Sequence, residues 1–325
     1  MVAKDPRKEL VTESMNPYEK PPSVTTGQSI KNFLYNPQTG AVLGRTPSSW
    51  GKIGIFYLIF YGVLAALVAI CFFIFFQTLD PRVPKWQLER SLIGTNPGLG
   101  FRPMPPEDNV ESTLIWFKGS NRTNYNYWVT SLKNFLADYK KPGSSPGRGQ
   151  NVVNCRDGKI IEPWQVCVVN VRDWHPCTEE NFFGYHTSSP CVFLKLNKIY
   201  GWMPEYYNTT ENLPPDMPKQ LNATIHQLVQ ENSLQLNTIW VSCEGENPSD
   251  QENIGVVKYY PKQGFPGYFY PYYHSDGYLS PLVAVQFERP RPGILINIEC
   301  KAWARNIKHH RNDKIGSVHF ELLVD

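Results

Sequence analysis

The 24 residues from Ile53 to Phe76 carry no charge, and this run limits what the rest of the chain can be. At 1.5 Å per residue it makes a helix of about 36 Å, enough to cross a hydrocarbon core of about 30 Å with some tilt. A buried helix of a soluble protein rarely runs so long without a polar face. A cleaved signal peptide fits poorly, because 52 mostly polar residues come first and the apolar run is too long. No second run of this kind occurs, so the chain is expected to span a membrane once.

Lysine and arginine do not set the direction of the span: Arg45 and Lys52 precede it closely, and Arg82, Lys85 and Arg90 follow it. Cysteines and glycosylation acceptors do. Cys155, Cys167, Cys177, Cys191, Cys243 and Cys300 follow the span, Cys71 lies inside it, and none precedes it. The Asn-x-Ser/Thr acceptors Asn121, Asn208 and Asn222 share that side, while Asn247 is followed by proline and drops out. An even cysteine set beside three acceptors reads as a disulfide framework in an oxidising compartment. The expected layout is a cytosolic segment over 1–52, largely disordered, a transmembrane helix over 53–76, an extracellular stalk over 77–110 and an extracellular domain over 111–325.

The 32 lysines and arginines exceed the 29 acids by only three, without the basic excess of a nucleic-acid binder, so no nucleic acid is expected as a partner. No Asp-x-Asp, Gly-x-Ser-x-Gly, His-Glu-x-x-His, P-loop or dinucleotide-binding glycine pattern occurs. No Cys-x-x-Cys or close Cys/His ligand pair offers a zinc site, so neither a metal nor a cofactor is expected. His309 and His310, between Lys308 and Arg311, read as a solvated basic turn. His175 could lower the pKa of a thiol at Cys177, but a disulfide there is the preferred reading. The weight moves toward a binding or structural role.

Beyond the span come short apolar or alternating runs punctuated by Gly and Pro: Leu114–Phe117, Val166–Val171, Cys191–Leu196, Ile239–Cys243, Val256–Tyr260, Leu282–Phe287, Ile294–Cys300 and Val318–Val324. They predict a mainly-β sandwich or barrel. Within Tyr127–Tyr139, Trp128, Leu132, Phe135 and Leu136 recur at helical spacing and predict one helix, followed by a loop over Lys141–Gly149. Strict alternation puts Ile294, Ile296, Ile298 and Cys300 on one strand face, and Ile239, Val241 and Cys243 on another. Two inward cysteines on separate strands look like a bridge joining two sheets across a core. Six cysteines allow many pairings and the sequence does not choose. The sequential set Cys155–Cys167, Cys177–Cys191 and Cys243–Cys300 is preferred, since it closes two short loops and keeps the inward pair together.

The span is not a plain anchor. Tyr57 and Tyr61 are four apart and share a face with Leu64, Ala65 and Val68. Tyr57 suits an interfacial aromatic belt. Tyr61 lies eight residues in, about 12 Å deep, where lipid offers its hydroxyl no partner. Gly62 with Ala66, and Ala65 with Ala69, permit close helix approach. The span is expected to pack on another protein's helices.

These residues form a recognisable series. Phe33-Leu34-Tyr35-Asn36, Leu43-Gly44-Arg45-Thr46 and Ser49-Trp50 precede the span, and Phe56-Tyr57 and Phe60-Tyr61-Gly62 lie in it. Pro97-Gly98-Leu99, Tyr270-Pro271-Tyr272-Tyr273, Leu279 to Phe287 and Ile298 to Ala302 follow in order. Over nearly its whole length the chain resembles the β subunit of the Na+/K+- and H+/K+-transporting P-type ATPases. The resemblance implies an Ig-like β-sandwich with three sequential disulfides and no catalysis of its own. It implies assembly with a catalytic α subunit in the endoplasmic reticulum, delivery to the plasma membrane and tuning of K+ and Na+ transport. It places Tyr57, Phe60, Tyr61 and Gly62 against α-subunit helices, and Tyr270, Pro271, Tyr272 and Tyr273 against α's extracellular loops. Membrane lipid and a small single-span regulatory subunit are further partners it admits. The short Cys155–Cys167 loop departs from vertebrate members and points to an invertebrate-like form. The competing reading is a stand-alone adhesion glycoprotein, since an aromatic sandwich is also a recognition surface.

Overall fold

A proline at the start and an uncharged run behind it make one continuous helix near the N-terminus. The computed structural model describes residues 25–37, 39–106, 108, 112–140, 151–158, 161, 162, 164–310 and 315–325. The expected loop over 141–149 lies outside the described residues. The chain divides into two units, one ending at Thr78 and one running from Leu79 to Asp325.

In the first unit, helix α1 (Thr26–Leu34) leads into a hairpin of β1 (Tyr35–Asn36) and β2 (Ala41–Val42), then into helix α2 (Pro47–Gln77). α2 begins six residues ahead of the uncharged run, with Pro47 where its missing N–H costs nothing and its fixed φ suits a helix. None of its side chains is buried. α1 forms in a stretch read from sequence as largely irregular; Ile30, Phe33 and Leu34 give it one apolar face. Leu43 and Gly44 have φ of 51° and 73°. Both values are left-handed, the geometry of a two-residue turn, and Val42 and Arg45 exchange backbone hydrogen bonds across it.

In the second unit a stalk with a 3₁₀ turn at Leu88–Arg90 leads into β3 (Leu99–Arg102). Next come β4 (Leu114–Phe117), α3 (Arg122–Lys140), β5 (Val152–Val153), β6 (Val166–Cys167) and β7 (Cys191–Leu196). α4 (Lys219–Gln230), β8 (Thr238–Gly245), α5 (Pro248–Asn253), β9 (Val256–Tyr260) and β10 (Gly264–Pro266) follow. β11 (Leu282–Glu288), β12 (Leu295–Trp303) and β13 (Ser317–Val324) complete the chain. The strands form a five-stranded sheet, β10-β8-β12-β13-β4, and a four-stranded sheet, β3-β7-β11-β9. Their pairings are antiparallel except β13 with β4. The two sheets share one core: Phe320 of β13 stacks on Phe101 of β3 at 4.9 Å and meets Phe287 of β11 at 5.9 Å. A mainly-β sandwich with three disulfides, together with one long apolar helix, is what the sequence predicts.

Several details differ from the sequence reading. The sandwich begins at β3, inside the segment read as stalk, because Leu99 and Phe101 alternate into the core. The run Val166–Val171 gives only a two-residue strand. There the Asn170 carboxamide accepts from the Arg172 N–H at 3.1 Å and donates to Asp173 at 2.6 Å, turning the chain away from the ladder. Two helices join the expected one. α4 lays Leu221 and Ile225 on a second cluster with Tyr207, Met217, Leu236, Trp240 and Trp303. α5 starts from Asn247 with a capping box closed by Asp250.

The largest correction concerns a disulfide. Cys243 and Cys300 both face the core, but they are direct neighbours on β8 and β12 of the same sheet, with Cα atoms 4.0 Å apart. The bridge staples two adjacent strands rather than two sheets. Cys155 pairs with Cys167 and Cys177 with Cys191, at Cα separations of 5.4 and 5.6 Å. His309 is no solvated turn residue: its ring lies 4.6 Å from Trp303 and its Nε2 is 2.8 Å from the Ala302 carbonyl. Burial is the main cause that lowers its pKa.

Candidate partner-binding surfaces

Helical spacing of aromatics in the first half of α2 builds two parallel ladders. Phe56 stacks on Phe60 at 6.1 Å and Tyr57 on Tyr61 at 5.9 Å, and Phe60 meets Tyr61 edge-on at 5.3 Å. These contacts fix the rings relative to one another without hiding them: Tyr61 is 59% exposed. Neither phenol has a hydrogen-bond partner among the described residues. A side chain added at Gly62 would meet nothing within 4 Å. The aromatic rungs line one side of the helix and the bare backbone at Gly62 lies on roughly the opposite side, and both are open.

The aromatic patch on the head is divided. Tyr270 turns inward, its ring 5.8 Å from Trp202; burial pushes its hydroxyl far up, and that hydroxyl finds no partner among the described residues. Tyr272 is half-buried against Tyr278 at 4.8 Å, with the Lys198 ammonium 5.1 Å over its ring. Its carbonyl accepts from the Gly201 N–H at 2.9 Å. Tyr273, 48% exposed, offers the most surface, with its ring against Tyr200 at 5.7 Å. Pro271 is half-buried beside them. A cleft of 350 Å³ opens under the patch, lined by Tyr270, Tyr273, Tyr278, Tyr268 and Met203. The stalk runs past this patch: the Arg82 guanidinium lies 3.5 Å from Asp276, and its carbonyl 3.3 Å from His274 Nδ1. Sequence reasoning named the patch but missed Lys198 and Arg82, since pairings across such distances leave no local pattern.

The three acceptor asparagines sit in different settings. Asn121 is exposed just ahead of α3, where its carboxamide oxygen accepts from the Thr123 N–H at 3.0 Å and the Thr123 hydroxyl at 2.6 Å. Its Nδ2, the atom a glycan would occupy, is not used in those bonds. Asn208 is exposed on a loop that Arg305 ties down through Thr209 at 2.8 Å. Asn222 is half-buried in the first turn of α4. Among the described residues no group of three His, Cys, Asp or Glu side chains is placed to hold a metal ion.

Among the described residues one helix is long and apolar enough to cross a membrane, and a disulfide-stapled sandwich follows it in the chain, which fits a single-pass membrane protein. A family profile for the sodium/potassium ATPase beta chain matches residues 20–320. The chain is 62% identical over 308 residues to sodium/potassium-transporting ATPase subunit beta-2 of Drosophila melanogaster, covering 95% of each chain. It is 44% identical to subunit beta-1 of the same fly, over 94% of this chain and 95% of that one. To the human subunit beta-2 it is 28% identical, over 91% and 93%. The chain belongs to the sodium/potassium ATPase beta-chain family, accessory rather than catalytic subunits of that ATPase.

Proposed function

We propose that the chain is the β subunit of a Na+/K+-transporting ATPase, assembling with the catalytic α subunit through its span and its head. The match over 95% of the chain to a protein bearing that name carries the reading. The exposed Tyr57–Tyr61 ladder and the open backbone at Gly62 support it, because the Tyr61 phenol, about 12 Å inside a bilayer, is better placed against a protein than against lipid. On this reading the N-terminus is cytosolic and the head extracellular, in line with three disulfides and three glycan acceptors beyond the span.

The physical role follows from linkage. A chain that binds α only when α is folded stabilises that fold, which supports its exit from the endoplasmic reticulum toward the plasma membrane. A chain that contacts two pump states unequally shifts their balance, and hence K+ and Na+ affinity. The decisive experiment is gentle detergent extraction of the native protein and identification of what accompanies it. An α subunit should co-purify, and Tyr57→Leu with Tyr61→Leu should reduce its yield. Recovery of the chain alone would refute the assignment.

A further inference from the structure

The segment ahead of the span folds back on itself. The Leu34 carbonyl accepts from the Leu43 N–H at 3.1 Å, and the Phe33 carbonyl from the Gly44 N–H at 2.9 Å. Gly44 is three residues from Pro47, where α2 begins. A side chain added at Gly44 would come within 3.3 Å of the Phe33 ring, so glycine here also lets α1 sit close. From the first turn of α2, the Trp50 indole N–H donates to the Val42 carbonyl at 2.9 Å. α1, the hairpin and the first turn of α2, just ahead of the uncharged run, are thus knitted together by hydrogen bonds, and the end of α1 is held close to where the span begins.

On α1, Ile30, Phe33 and Leu34 share one face and are 56%, 57% and 53% exposed, while Gln28 and Asn32 lie on the other. Tyr35, Val42, Leu43 and Trp50 continue the exposed apolar surface. Charge points the same way: residues 25–52 contain Lys31, Arg45 and Lys52 and no Asp or Glu. An apolar face flanked by cations, fastened to a membrane span, is the pattern of a helix lying in the headgroup boundary.

We propose that α1 is an interfacial helix, seating Ile30, Phe33 and Leu34 in the acyl boundary of the leaflet on the N-terminal side while Lys31, Arg45 and Lys52 meet anionic headgroups. The occupant of this face is lipid. The depth of α1 follows from the tether alone; the preference for anionic lipid also rests on the cytosolic N-terminus proposed above.

The test uses the full-length chain with its co-purifying partner, in nanodiscs of phosphatidylcholine alone or mixed with phosphatidylserine. Nitroxide labels go singly on Ile30→Cys, Phe33→Cys, Gln28→Cys and Asn32→Cys in a Cys71→Ala background, Cys71 being free and exposed. The oxygen-to-nickel accessibility ratio at 30 and 33 should exceed that at 28 and 32 by at least about threefold, and phosphatidylserine should widen the contrast. Equal, water-like ratios at all four positions would overturn the proposal. So would shielding of 30 and 33 from both probes, since a protein would then cover the face. An equal contrast in both lipid mixtures would overturn the role given to the cations. Loss of the partner with the contrast intact would count against the α-subunit assignment instead.

Discussion

Removing Cys243–Cys300 should cost the head more than removing Cys155–Cys167, although Cys243 and Cys300 already face each other across the paired strands β8 and β12. The separations along the chain are 57 and 12 residues. If a crosslink acts by restricting the unfolded chain, these separations give about 4.2 and about 2.8 kcal/mol, a gap of about 1.4 kcal/mol or tenfold in unfolded population. Packing adds to the gap, because Cys243 and Cys300 sit wholly inside the core whereas Cys155 is half-buried. Two full-length double variants test this: Cys243→Ala with Cys300→Ala, and Cys155→Ala with Cys167→Ala. Pulse proteolysis across a urea series, in one detergent, reads the unfolded fraction of the head. The first midpoint should fall clearly below the second. Equal midpoints, or the reverse order, would show that backbone pairing of β8 with β12 already holds these strands and that the chain-restriction argument fails here.

Other expectations follow from the same structure. Tyr61→Phe should weaken α-subunit co-purification about fivefold if its hydroxyl meets a partner helix at about 1 kcal/mol, whereas a lipid-facing Tyr61 would leave recovery unchanged or improved. Gly62→Leu should lower recovery while leaving the disulfides and head proteolysis unaltered, since the space beside Gly62 is open in the chain itself. His309 has its pKa lowered by burial, so the unfolded chain takes up the proton first and the head should lose stability as pH falls below about 6.5. Thermal unfolding at neutral and mildly acidic pH should show this loss in the native chain and much less of it in His309→Gln. Gly245→Ala would place a methyl 2.4 Å from the Asp250 and Gln251 backbone and should cost about 2 kcal/mol, measured as a lower urea midpoint.

What the sequence shows and what it hides divide along physical lines. The span is visible because 24 uncharged residues leave no other home for their backbone, and β12 is visible because Ile296, Ile298 and Cys300 alternate. Period-two alternation reports a face, not a neighbour, which is why it put Cys243 and Cys300 inside without revealing that they share a sheet. α4 escaped because Leu221 and Ile225 are the only fully buried residues on it, too few to stand out beside a glycosylation signal and prolines. The Tyr270–Tyr273 run is aromatic at three of four places, so no alternation shows that Tyr270 turns in and Tyr273 out. On α2 even the structure leaves every side chain open, because an apolar residue facing lipid and one facing a partner helix are chemically alike.

That openness gives the two ends of the molecule different dependence on assembly. The head carries its own core and three covalent staples, so most of its stability is internal. The span has no buried side chain and gains nothing from tertiary packing within the described residues. Its helix persists without a partner, because backbone hydrogen bonds in hydrocarbon have no competitor. On the assembly proposed above, what changes is the surroundings of the Tyr57 and Tyr61 hydroxyls and of the backbone at Gly62. On that reading an unassembled chain differs from an assembled one most sharply inside the bilayer, where the Tyr61 hydroxyl is left without a polar partner.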